Sequence, residues 1–184
     1  MFSQTVAVTV DLLRLRRGPQ DLPADWNLLA MLAGAYFIVT FAQVLVAAPT
    51  GVALLQALLA TVVLAGYVRA VLGSRGRVAR FAQTLAAMYA VGIVLTLLML
   101  GPTATLAPFL TSLAQGTAQQ SAAAAPTAPT LGMLAYMIIG VWGLVVFGHV
   151  YRHALDIGLG IGVLVALGFE VLLFLVSAFI SPLL

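Results

Sequence analysis

The chain has 184 residues, of which 63% are hydrophobic and 7% charged, with eight basic and five acidic side chains and a net charge of +3. A soluble domain carries roughly 25% charged residues, so a water-exposed globule is excluded and the apolar residues must face lipid or one another. The absence of cysteine excludes a disulfide framework, a thiol nucleophile and a thiolate metal site.

Residues 1–26 read as a cytoplasmic, interfacial segment. Phe2, Val6, Val10 and Leu13 recur every three or four positions with Asp11, Arg14 and Arg17 among them. This pattern predicts a short amphipathic helix lying on the membrane surface, although Val6, Val8 and Val10 also alternate as a strand would. Gly18 and Pro19 are expected to stop the element, and Trp26 falls where indoles favour the interface. The start lacks the pattern of a cleavable signal peptide, so the first span is expected to act as the targeting signal.

Residues 27–184 read as one transmembrane domain. Five apolar stretches, at about 28–48, 51–72, 81–101, 131–151 and 157–181, each supply the roughly 20 residues that cross a ~30 Å hydrocarbon core. Ala48-Pro49-Thr50 makes a tight hairpin between the first two, and Asp156 is placed to cap the fifth. An outside loop covers 102–130. Its first part, 102–114, predicts a short helix at the outer interface, broken by Pro102 and Pro108. Its second part is low-complexity and reads as a loop. The expected fold class is thus an all-α membrane protein, a five-transmembrane-helix bundle preceded by an interfacial helix.

Every basic residue falls on one side of such a bundle. Arg14, Arg16 and Arg17 precede the first span, Arg69, Arg75, Arg77 and Arg80 flank the link between the second and third, and Arg152 closes the fourth. The positive-inside rule places the N-terminus in the cytoplasm and, after an odd number of spans, the C-terminus outside. The arginines therefore report orientation rather than nucleic-acid binding. Arg69, Arg75, Arg77 and Arg80 are also candidates for lipid headgroup contacts.

Glu170 is the only ionisable group far from a span end, roughly 20 Å from the cytoplasmic edge. Intramembrane carboxylates are costly and mark function by default. No arginine reaches its depth, so a neutral, hydrogen-bonding acid is expected there. Gln43, Gln56, Thr96 and Tyr136 fall in the same layer, roughly 7–10 Å from the outer edge. Five polar side chains from five spans predict a hydrogen-bonded cluster, against the alternative of separate side chains each bonded to nearby backbone.

His149 and His153 share a helix face at i, i+4, yet zinc needs three or four ligands and only Asp156 lies near. They read instead as interfacial anchors. Small residues at every fourth position suit close helix contact: Ala53, Ala57, Thr61 and Ala65 in the second span, Ala82, Ala86 and Ala90 in the third, and Gly158 and Gly162 in the fifth. No catalytic residue, metal or cofactor is expected.

The segment RLRRGPQDLPADW, with Gly18-Pro19 ahead of the first of five spans and a C-terminus outside, resembles the Yip1 family. Its bacterial members are small inner-membrane proteins. The acidic residue and tyrosine that precede Gly-Pro in eukaryotic members are missing. The resemblance implies a non-catalytic protein of the inner membrane that organises or partners others and supplies no catalytic residues.

The expected function is therefore a non-enzymatic scaffold or accessory subunit of a membrane assembly, with the lipid bilayer, other membrane proteins or a second copy of itself as partners and no nucleic acid. The alternative is a small proton-coupled transporter or channel using Glu170. An intramembrane enzyme built on His149, His153 and Asp156 is a third, weaker reading.

Overall fold

The computed structural model describes residues 2–114 and 130–180. The described residues form six α-helices: α1 Phe2–Leu13, α2 Trp26–Leu45, α3 Thr50–Ser74, α4 Phe81–Ala114, α5 Thr130–Leu155 and α6 Leu159–Ile180. Lipid offers backbone N–H and C=O groups no partner, so an uninterrupted apolar run must satisfy them internally as helix. Helices α2 to α6 are each long and apolar enough to cross a bilayer. The protein is an all-α, multi-pass membrane protein.

Local chemistry sets the helix ends. Asp25 Oδ1 accepts from Asn27 N at 2.8 Å and opens α2 at Trp26, two residues before the first apolar run. At the end of α3, Arg77 N donates to Leu72 O and Gly76 N to Gly73 O. This Schellman closure needs a left-handed residue, which Gly76 supplies with φ 65°.

The same closure ends α1 earlier than expected. Arg16 N donates to Asp11 O and Leu15 N to Leu12 O, with Leu15 itself at φ 58°. The helix therefore stops at Leu13, before Gly18 and Pro19, which are themselves buried, Gly18 leading into a 3-10 turn over Pro19–Asp21.

Helix α4 is the centre of the bundle. Of its most apolar window 56% is buried, against 28% or less in the other four spans. It packs against α1, α2, α3 and α5, while α3 and α5 also touch α6. Side chains such as Ile38, Val62, Leu98, Val141 and Leu164 face outward and form the surface offered to lipid.

The segment 102–114 does not form a separate helix. Pro102 and Pro108 lie inside α4, whose 34 residues run unbroken to Ala114. Each proline forfeits one backbone bond, at a cost of about 3 kcal/mol in an otherwise regular helix. Burial of Thr103 and Leu106 and a 3.4 Å bond from Gln43 Nε2 to Thr103 Oγ1 hold the turn against α2. The remainder of the expected outside loop, 115–129, lies outside the described residues.

Helix α1 also presents a different face from the one expected. Thr5, Val8, Thr9 and Leu12 are buried, while Val6 is 48% and Val10 39% exposed. The buried set recurs at i, i+3, i+4 and i+7 and docks on α4 and α5. Because both faces carry apolar residues, periodicity alone named the outward one.

Candidate functional site

One end of the bundle gathers all eight arginines. His149 Nε2 donates to Arg17 O at 2.9 Å, and Gln83 Nε2 donates to Leu22 O at 2.9 Å. The N-terminal segment is thereby fixed over the adjoining ends of α4 and α5. The acceptor is a carbonyl, which only accepts, so the hydrogen sits on Nε2. The His149 and His153 rings lie 4.5 Å apart, edge to face, and among the described residues no group of three metal-ligating side chains surrounds them.

Asp156 does not cap α6. It follows α5 in the left-handed region, φ 52°, and its carboxylate pairs with Arg77 and Arg80. The hydrogen bond from Arg77 is the main reason that this exposed carboxyl is held below its ordinary pKa of 3.8. Arg80 Nη1 also donates to His153 O and Ala154 O, both at 3.1 Å. It thereby satisfies carbonyls that the helix leaves open at its C-terminus.

The Arg69 guanidinium lies 5.9 Å from the centre of the Phe81 ring, which in turn neighbours Trp26. Of the four arginines expected to meet headgroups, Arg69, Arg77 and Arg80 thus have partners within the chain, and Arg75 is exposed.

The small-residue stripes pack inside the chain. Ala53, Ala57, Ala82, Ala86 and Ala90 are buried. Thr61 is half-buried, donating to Ala57 O while its own carbonyl accepts from Tyr89 OH; Ala65 is half-buried. Gly162 sits at a backbone crossing, where an added Cβ would lie 2.2 Å from Gly148 O. A Cβ on Gly148 would lie 2.7 Å from Val163 N. Gly158, by contrast, faces open space, so of the two expected contact glycines in this stripe only Gly162 meets a neighbouring helix, at Gly148 of α5. Nothing in the local pattern of α5 singles out Gly148, because its role depends on which helix crosses it.

Toward the opposite end, a cavity of about 450 Å³ lies among α2, α3, α4, α5 and α6. Gln43, Gln56, Thr96, Tyr136 and Glu170 all line it. They do not bond to one another: Gln43 bonds to Thr103, and Gln56 Oε1 accepts from Ser177 Oγ at 3.1 Å. A cavity therefore stands where direct side-chain contact was expected, with Gln43 and Gln56 turned to partners outside the group.

Depth arithmetic limited to one residue per span missed Tyr36 and Thr40, which also line the cavity. They sit seven and three residues before Gln43 on the same helix face, a spacing that the sequence does show.

Aromatic rings close the inner side. Tyr36, Phe147 and Phe169 line the cavity. Tyr36 stacks on Tyr89 at 5.2 Å and Phe169 on Tyr67 at 5.9 Å. Tyr67 OH donates to Val165 O at 2.8 Å and Tyr89 OH to Thr61 O at 2.9 Å, so two tyrosines tie α3 to α6 and α4 to α3.

The fold and cavity together define a polytopic α-helical membrane protein with a mainly apolar pocket between its five spans that carries a few polar side chains. The chain matches no family model, no curated protein and no solved structure.

Proposed function

We propose that this protein is a small proton-coupled transporter of the bacterial inner membrane, with Glu170 as its coupling group. One observation carries the reading: among the described residues, the only acidic side chain away from the arginine-bearing end belongs to Glu170, which lines a cavity bordered by all five spans. A carboxylate inside a membrane is retained against its cost where a solute or proton path uses it. The positive-inside rule orients the arginines to the cytoplasm and the cavity toward the outside. The packed aromatic layer and the docked N-terminal segment then stand between cavity and cytoplasm.

The test is solute uptake into proteoliposomes loaded with a pH-sensitive dye, offering cationic, neutral and anionic solutes in turn. Uptake accompanied by a change in lumen pH, acidification for co-transport or alkalinisation for exchange, and abolished in Glu170→Gln, supports the reading. Uptake whose proton coupling survives in Glu170→Gln, or no uptake of any solute, rejects it.

A second reading, a scaffold or accessory subunit, is favoured by the braced arginine-bearing end. There α1, the Gly18-Pro19 turn and both short links form a cross-tied platform with Arg14, Arg16 and Arg75 exposed. It accords with what the Yip1 resemblance implies. Extraction into nanodiscs followed by mass spectrometry separates the readings. A partner at fixed ratio supports the scaffold, and recovery of the chain alone supports the transporter.

A further inference from the structure

We infer that the Glu170 cavity binds a monovalent organic cation, an ammonium or amidinium group carried on an apolar arm. The inference deepens the transporter reading and rests on it for the claim that the ligand is moved.

Charge distribution is the first ground. All eight cationic side chains, both histidines and four of the five acids lie at the arginine-bearing end of the chain's fold. Glu170 stands alone, about 17 Å along α6 from that end. Glu170 is exposed within the fold, and an isolated carboxylate at membrane depth is satisfied by a proton or by a cation that the chain itself does not provide. A single acid among neutral neighbours matches one positive charge.

The remaining lining matches the rest of such a ligand. Gln43, Gln56 and Thr96 line the cavity and carry carbonyl and hydroxyl oxygens of the kind that accept from N–H donors, with Gln56 Oε1 already taking one hydrogen bond from Ser177. Tyr36, Phe147 and Phe169 present rings on the same cavity, and ring faces attract ammonium and guanidinium groups. The volume of about 450 Å³ lies in the range of small-molecule sites. An anion would find no positive group there, and a dication only one counter-charge.

The same ammonium chemistry comes from two sources, a free amine solute or the headgroup of phosphatidylethanolamine, and the experiment separates them. Binding of radiolabelled 2-phenylethylammonium is measured to the full chain in nanodiscs of phosphatidylglycerol, beside neutral 2-phenylethanol and anionic phenylacetate. Saturable binding of the cation alone is expected, weakened about tenfold in Glu170→Gln through loss of the single counter-charge. Glu170→Asp should restore part of it.

Equal binding of the neutral or anionic analogue, unchanged cation affinity in Glu170→Gln, or no cation binding to the wild-type chain overturns the inference. The analogue comparison on the wild-type chain decides the matter even if Glu170→Gln fails to fold. Repeating the measurement in nanodiscs containing phosphatidylethanolamine identifies the source: competition by that lipid assigns the site to a headgroup, and its absence to a free amine. Cation binding without uptake into proteoliposomes leaves this inference standing and removes the transporter reading. Proton-coupled uptake of a neutral or anionic solute does the reverse.

Discussion

At the scale of single residues, backbone geometry decides more than chemistry. The crossing of α5 and α6 admits no side chain at Gly148, where an added Cβ meets Val163 backbone rather than a movable side-chain end. Gly148→Ala should therefore destabilise the protein by about 1–3 kcal/mol, the range for overpacking. Gly158→Ala, placed in open space, should stay within about 0.5 kcal/mol of wild type. Detergent melting curves check the pair, and equal shifts would refute the crossing. Asp156 gives a pH prediction. Its carboxyl is held below the ordinary 3.8 by Arg77 and Arg80. The stabilisation is present above that value and is lost as pH falls through the lower folded value. Asparagine also tolerates the left-handed region, so Asp156→Asn should keep the helix closure while flattening the acid limb of the stability–pH curve. An unchanged acid limb would show that the pairs contribute nothing.

At the scale of elements, two helices differ from their expected form for one reason. A local pattern ranks faces and breakers, but the surroundings choose among them. The stripe at Val6 and Val10 is apolar, yet Val8 and Leu12 are the residues that α4 and α5 cover. Pro102 and Pro108 are breakers in isolation, yet the last turns of α4 persist where Thr103 meets Gln43. His149 ties down the segment that follows α1, through Arg17 O. Removal of its ring leaves Arg17 O without its donor and opens space beneath the segment, so His149→Ala should cost about 1–3 kcal/mol. Amide exchange should then rise in α1 and residues 14–22 while the cores of α2 and α3 stay protected. Uniform acceleration through the whole chain would mean that α1 is not a separately docked unit.

At the scale of the whole molecule, orientation is the testable statement. The cysteine-free chain allows single thiols to be introduced on a silent background. A membrane-impermeant maleimide added to intact cells should label Thr105→Cys and should reach Ser74→Cys only after permeabilisation. The opposite pattern would invert the bundle and turn the cavity to the cytoplasm. The asymmetry behind this prediction is physical. One end is cross-tied by Arg77, Arg80, Asp156, His149 and Gln83, and the other half keeps a cavity between the same helices.

The five spans were legible in the sequence because lipid enforces a simple code: about 20 apolar residues and no unsatisfied backbone. The clustering of arginines on one side was legible for the same reason, since charge is confined to loops and span ends. Depth arithmetic also named Gln43, Gln56, Thr96, Tyr136 and Glu170, because rise per residue converts position directly into depth. Rotation about each helix axis and the choice of neighbours were not legible. They settle which face of α1 is covered, why Gly162 but not Gly158 meets a neighbouring helix, and that the polar layer surrounds a cavity instead of closing on itself. Those are properties of pairs of helices, fixed by how side-chain shapes fit across an interface, and no single segment carries them.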